Sequence, residues 1–193
     1  MRTLFSLLFL VFAFFLAFLL YKSIEEPIAF NNERSVRDQA VADKLQMIRK
    51  AQELYRDITG EFAPTFDTLK QVLTEGELLS ISVIGDPDDP NFTGTITYDT
   101  TRIPARDTIA GLGIVLEDIE KVPYTEGVNF DIDAKVIEYQ STQVPVVQVG
   151  VKKATYMGEY GDIKYQRYDQ NYNPNAAMSF GDLSKPTLGG SWQ

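Results

Sequence analysis

Residues Thr3 to Tyr21 read TLFSLLFLVFAFFLAFLLY, a run of 19 residues without a charge, a glycine or a proline. As a helix rising about 1.5 Å per residue it is about 29 Å long, the thickness of one hydrocarbon core. A segment of this kind sets the first constraint on the chain. A cleaved signal peptide has a shorter apolar region, about 7 to 15 residues, closed by small residues. Here the run ends Phe18-Leu19-Leu20-Tyr21-Lys22, which predicts a retained transmembrane signal anchor over 1–22. Tyr21 and Lys22 suit the interface, the ring at headgroup depth and the ammonium in water. Phe5, Phe9, Phe12 and Leu16 fall on one face of this helix and are the candidate partner-binding residues, with membrane lipid as the competing neighbour.

The remaining chain is acidic. Over all 193 residues, eighteen basic against 27 acidic side chains leave a formal charge of -9, which argues against a nucleic-acid binder that works through a basic face. There is no cysteine and no histidine, which removes disulfides, thiol nucleophiles, the usual zinc ligands and the Ser-His-Asp triad. Charge is also uneven. Residues 33–58 hold six basic and five acidic side chains, whereas 59–193 hold ten and twenty. An acidic outer part stays soluble and is repelled from anionic headgroups.

After the anchor, SIEEPIAFNN over 23–32 contains Pro27 and two asparagines and predicts a linker. From Glu33 to Ile58, the apolar residues Val36, Val41, Leu45, Ile48, Tyr55 and Ile58 recur at helical spacing. Ser35-Val36-Arg37-Asp38 resembles a capping box at its start, and Gly60 stops it. A short helix from Phe66 to Leu73, capped by Thr65, follows. The period then changes to two. Leu79–Ile84, Phe92–Tyr98, Val128–Val136 and Gln143–Val151 read as strands of one antiparallel sheet of about four to six strands, with Pro145 at a strand start or an edge. Between them, 108–122 reads as a short helix, or a turn plus a helix, disturbed by Gly111 and Gly113. The expectation is an α+β extracytoplasmic domain over 33–154, in which an amphipathic helix and a short helix pack on an antiparallel β-sheet. Residues 155–193, with tyrosines at 156, 160, 165, 168 and 172 and a terminal Trp192, read as an irregular aromatic C-terminal extension packed over the domain surface.

Ala51, Tyr55, Gly60, Phe62, Pro64, Thr65 and Leu69, placed behind an apolar anchor and an amphipathic helix, resemble the opening of type IV pilins and type II secretion pseudopilins. The resemblance covers about a third of the chain. It implies a long helix, a glycine turn and a second helix leading onto a sheet. The glycine before the apolar segment and the glutamate within it, typical of that family, are missing here. The chain also resembles uncharacterised bacterial single-span membrane proteins, through the Tyr55 to Leu69 pattern, the Val122-Pro123-Tyr124 to Phe130 stretch and a Trp near the end. This implies the bacterial inner (cytoplasmic) membrane. Counting positive charges, Arg2 against Lys22, Arg34 and Arg37, favours a cytoplasmic domain. The short amino-terminal tail before a strongly apolar first segment is instead a secretory pattern, and the reading adopted is a periplasmic C-terminal domain.

Asp86, Asp88, Asp89 and Asn91, in GDPDDPN, form the densest oxygen-ligand cluster and are the candidate calcium site, against the alternative of a plain turn. Glu126, Asp131 and Asp133 form a weaker set, read as the outer face of a strand. A glycosidase-type hydrolase needs two carboxyls facing each other at about 5 to 9.5 Å, and nothing in the sequence selects such a pair. No catalytic residue and no further cofactor is indicated. The expectation is a non-enzymatic structural or assembly subunit of a membrane complex, partnered by lipid and by proteins or further copies of itself. The alternatives are a pseudopilin-like secretion or pilus subunit, and a tethered carboxylate hydrolase or calcium-dependent binding module.

Overall fold

The computed structural model describes the backbone of residues 2–84 and 97–192 and the side chains of 5–79 and 100–192. Its first element, α1, runs without interruption from Arg2–Thr59. Two elements follow it closely, α2 (Phe66–Glu75) and a hairpin of β1 (Glu77–Ile84) and β2 (Thr97–Pro104). Next come α3 (Ala105–Gly111), the hairpin of β3 (Asp131–Tyr139) and β4 (Thr142–Lys152), α4 (Lys153–Met157) and β5 (Ala177–Gly181). Short 3-10 turns occupy Gly158–Tyr160 and Ile163–Arg167.

The break expected over 23–32 does not exist. Pro27 lies inside α1, where it forfeits the bond to the Ser23 carbonyl at a cost of about 3 kcal/mol or more. Burial of Phe30 one turn later contributes about 1.5–3 kcal/mol, and its ring contacts, described below, add to that. The two effects are of the same order, so packing carries the helix through the proline. The capping box expected at Ser35 consequently caps nothing. Its residues sit in mid-helix, and Val36 is 51% exposed rather than part of the apolar stripe.

The stripe that is buried consists of Val41, Leu45, Ile48, Ala51, Leu54 and Tyr55, joined by Ala42. The helix as a whole packs against α2, α4, β1 and β5. Gly60 adopts φ 85° and its N–H bonds the Arg56 carbonyl at 2.7 Å, the left-handed stop expected there. The chain then turns through Phe62 and Ala63. Gln52, fully buried within α1, clamps this turn: its Nε2 donates to the Ala63 carbonyl at 3.0 Å and its Oε1 accepts from the Ala63 N–H at 2.9 Å. Thr65 caps α2 by accepting from the Thr68 N–H, and Phe66, Leu69 and Leu73 form its buried side.

In place of one sheet there are two among the described residues: the antiparallel pair β1-β2, and a three-stranded antiparallel sheet in the order β3-β4-β5. Pro104 ends β2 and Ala105 starts α3, with the Ala105 N–H bonded to the Gly76 carbonyl. The first hairpin is thereby closed onto α2 instead of extending toward β3. The helix expected over 108–122 is confined to α3; turns follow, with Gly113 at φ 67°.

In the second sheet, Val147, Val149 and Val151 of β4 face the core with Met178 and Phe180 of β5, alternate residues of one strand face, while Val146 and Gly150 on the other face are buried as well. Pro145 pairs with Val136 on β3, whereas β5 reaches only Gln148–Lys152. The proline therefore sits where β4 has a neighbour on one side alone. The β3-β4 turn has two residues, Gln140 (φ 51°) and Ser141 (φ 63°), a type I′ geometry that matches strand twist.

The extension expected over 155–193 is largely structural. It supplies β5, and its Tyr156, Tyr172, Met178 and Phe180 lie in the core. Beyond β5, the Gly181 N–H bonds the Gly189 carbonyl and the Ser191 N–H bonds the Ser179 carbonyl, which brings the partly buried Trp192 against the core.

Candidate functional site

Helical geometry places Glu26, Phe30, Arg34 and Asp38 in one row, each four residues from the last. The segment 153–172 docks on this row through complementary charge. Arg167 Nη2 lies 3.1 Å from both Glu26 carboxylate oxygens. Arg34 pairs with Asp169 and, at 3.6 Å, with Asp38. Lys153 Nζ lies 3.1 Å from Asp38. Arg37 reaches the Tyr156 carbonyl at 2.9 Å and pairs with Glu33 at 2.8 Å.

Between the outer and inner charges stands Phe30, fully buried and surrounded by tyrosines. Tyr165 stacks on it at 5.4 Å between centroids, and Tyr172 and Tyr160 meet it edge-on at 5.0 and 5.9 Å. Tyr168 lies at 6.1 Å. Such pairs contribute about 0.5–1.5 kcal/mol each beyond area burial, so four rings around one side chain form a strong local clasp. The Arg34 guanidinium also lies 5.5 Å from the Tyr172 ring.

Electrostatics hold Tyr156, Tyr172 and Asp169 each in one protonation state near neutral pH. Burial, then the hydrogen bond to Asp38 at 2.6 Å, pushes the Tyr156 phenol above its ordinary range. Burial, then the nearby Asp38 charge, pushes Tyr172 up to about 12. The hydrogen bond from Arg34 holds the Asp169 carboxyl below the usual range. Both phenols stay protonated and Asp169 stays ionised, so the cluster works as an ion-pair and aromatic fastening.

Beside it, between α1, β5 and the carboxyl end, is an open cleft of about 490 Å³. Asn31, Ser35, Gln39, Gln46, Ser191 and Trp192 contribute to its walls, with Arg34, Asp38 and Lys153 at its charged side. Asp38 is its single carboxylate among the described residues, and it is already engaged by Lys153 and Tyr156.

Asp86, Asp88, Asp89 and Asn91 lie outside the described residues. Asp131 and Asp133 alternate with Ile132 and Ala134 on β3, and both are exposed, as is Glu126. Among the described residues no three acidic side chains gather as a metal site. Phe5, Phe9, Phe12 and Leu16 are all exposed on α1. The clasp is hidden in the sequence because Pro27 and the two asparagines make the segment around Phe30 read as a linker. The available signal was the row 26-30-34-38 crossing Pro27 at helical spacing. The chain matches no known protein family, no curated protein and no solved structure.

Proposed function

We propose that this chain is a single-span protein of the bacterial inner membrane whose folded part stands in the periplasm, and that it serves as a non-enzymatic structural or assembly subunit of a membrane complex. One observation carries the reading: α1 is apolar and exposed along its first third and is the central core element along its last third. An exposed surface of phenylalanine and leucine of this extent marks contact with lipid or with other apolar segments. The anchor confines the chain to the membrane plane, and the domain presents its acidic surface to partners at a fixed height. Protease added to intact spheroplasts is expected to degrade the domain, and alkaline carbonate is expected to leave the full chain in the membrane pellet. Release by carbonate, or protection in spheroplasts combined with digestion after lysis, overturns the anchor or its orientation respectively.

The absence of cysteine allows partners to be sought cleanly. Single cysteines at Phe5, Phe9, Phe12 or Leu16 should form disulfide-linked dimers or mixed adducts if this face carries assembly, and none if lipid alone covers it. The unbroken course of α1 through Pro27 favours a second reading, a pseudopilin-like secretion or pilus subunit, in which such a helix packs in a bundle. Mass spectrometry of the mature amino terminus separates the two: trimming before the apolar run supports the pseudopilin reading, and an intact start supports the first.

A further inference from the structure

The turn Ile163–Arg167 is held unusually close to the apolar helix. Arg167 and Tyr168 line one recess of about 380 Å³ together with Leu19, Lys22, Ser23 and Glu26. Leu19 belongs to the apolar run itself. Glu26, to which Arg167 is paired, lies five residues beyond Tyr21, about 7.5 Å along the helix axis. The headgroup layer outside a hydrocarbon core is about 5–7 Å deep on each side. The turn also exposes Ile163, which is 54% accessible, beside exposed Lys164 and Arg167. Exposed Asp162 precedes Ile163 and Lys164 follows it; an aliphatic side chain with Lys164, Arg167 and the half-buried Tyr168 on its carboxyl-terminal side suits a layer that is apolar below and phosphate-bearing within.

From these placements we infer that the 163–168 turn is a second membrane contact, seated in the headgroup layer beside Lys22, so that the domain rests on the bilayer instead of standing clear of it. The inference rests on the single-span reading above. The occupant is the phospholipid surface that the anchor crosses. The clasp on Phe30 and the Arg167–Glu26 pair set the height of the turn, and the opposite end of the domain is kept far away. Lys135 and Val136 of β3 share a recess with Glu61, Phe62 and Pro64, which follow the far end of α1, about 50 Å along the axis from Glu26.

The test uses the full chain carrying one introduced cysteine, labelled with an environment-sensitive fluorophore, in nanodiscs of phosphatidylcholine and phosphatidylglycerol. Nitroxide is placed on either the lipid headgroup or the acyl chain. Phe12→Cys reports the span, Ile163→Cys the turn and Lys135→Cys the far end. Acyl-chain nitroxide should quench Phe12→Cys, headgroup nitroxide should quench Ile163→Cys several-fold more than Lys135→Cys, and Lys164→Cys should repeat the result at 163. If Phe12→Cys is quenched while 163 and 164 behave like 135, the second contact is refuted and the span stands. If Phe12→Cys is itself unquenched, the span and the contact both fall.

Discussion

Gln52 offers the sharpest trial of how the helix is joined to the rest of the fold. Its amide satisfies both backbone groups of Ala63, and both residues are buried. Gln52→Leu keeps the bulk and orphans one N–H and one C=O, at about 1–3 kcal/mol each, so about 2–6 kcal/mol in total. For a chain of this size, about 2–4 °C per kcal/mol converts that to a fall in Tm on the order of 10 °C. Gln52→Glu is the more searching variant. An ionised carboxylate still accepts from the Ala63 N–H but faces the Ala63 carbonyl, acceptor against acceptor, without water. Both effects favour the protonated acid, so the folded pKa of this introduced glutamate rises above its ordinary value of about 4.3. For a raised pKa, the stability contribution is complete below the unfolded value and disappears as pH rises through the folded one. Thermal unfolding by circular dichroism, in detergent from about pH 4 to 8, should show Gln52→Glu near the wild type at the acid end and increasingly below it toward neutrality. Gln52→Leu should be low at every pH. A pH-independent gap for Gln52→Glu, or a Gln52→Leu protein as stable as the wild type, refutes the clamp.

Phe30→Ala should cost about 3–5 kcal/mol in urea unfolding, and a loss below about 1 kcal/mol contradicts the aromatic clasp. Ser141→Gly relieves a left-handed conformation that costs a non-glycine residue about 1–2 kcal/mol, and should raise Tm by a few degrees; a lowered Tm removes the type I′ assignment. The raised phenol pKa values of Tyr156 and Tyr172 mean that their stability contribution is complete below the ordinary tyrosine value near 10 and is lost above it. The urea midpoint should therefore fall between about pH 10 and 12, less steeply in the Tyr156→Phe, Tyr172→Phe double variant, and equal slopes in the two proteins count against the burial argument.

The elements legible in the sequence are those whose signal is local. The Gly60 stop, the Thr65 cap, the buried stripe of Val41, Leu45 and Ile48, and the alternation along β3 and β4 each depend on residues a few positions apart. The failures are tertiary. Pro27 reads as a break because its cost is local, whereas the compensation comes from tyrosines more than a hundred residues later. The carboxyl-terminal segment reads as too polar for a core because Tyr156 and Tyr172 bury their rings while their hydroxyls find Asp38 and the Tyr160 carbonyl. The single sheet became two because Pro104 and Ala105 redirect the chain, a choice that alternation alone does not encode. In the clasp, the charged residues were visible but their pairing across the fold was not.

An uninterrupted helix also fixes azimuth. Phe12 and Phe30 are 18 residues apart, about five full turns at 3.6 residues each, so the two side chains project toward the same compass direction. Leu16, Phe9 and Phe5 fall within about 60° of it. Phe30 points into the folded body, which therefore overhangs the side of the apolar rod on which those four residues lie. A neighbour approaching along that side passes beneath the overhang and meets the bodies first, whereas approach from the opposite side leaves them back to back. In the assembly proposed above, the bearing of the rod thus chooses which surfaces of adjacent copies come face to face.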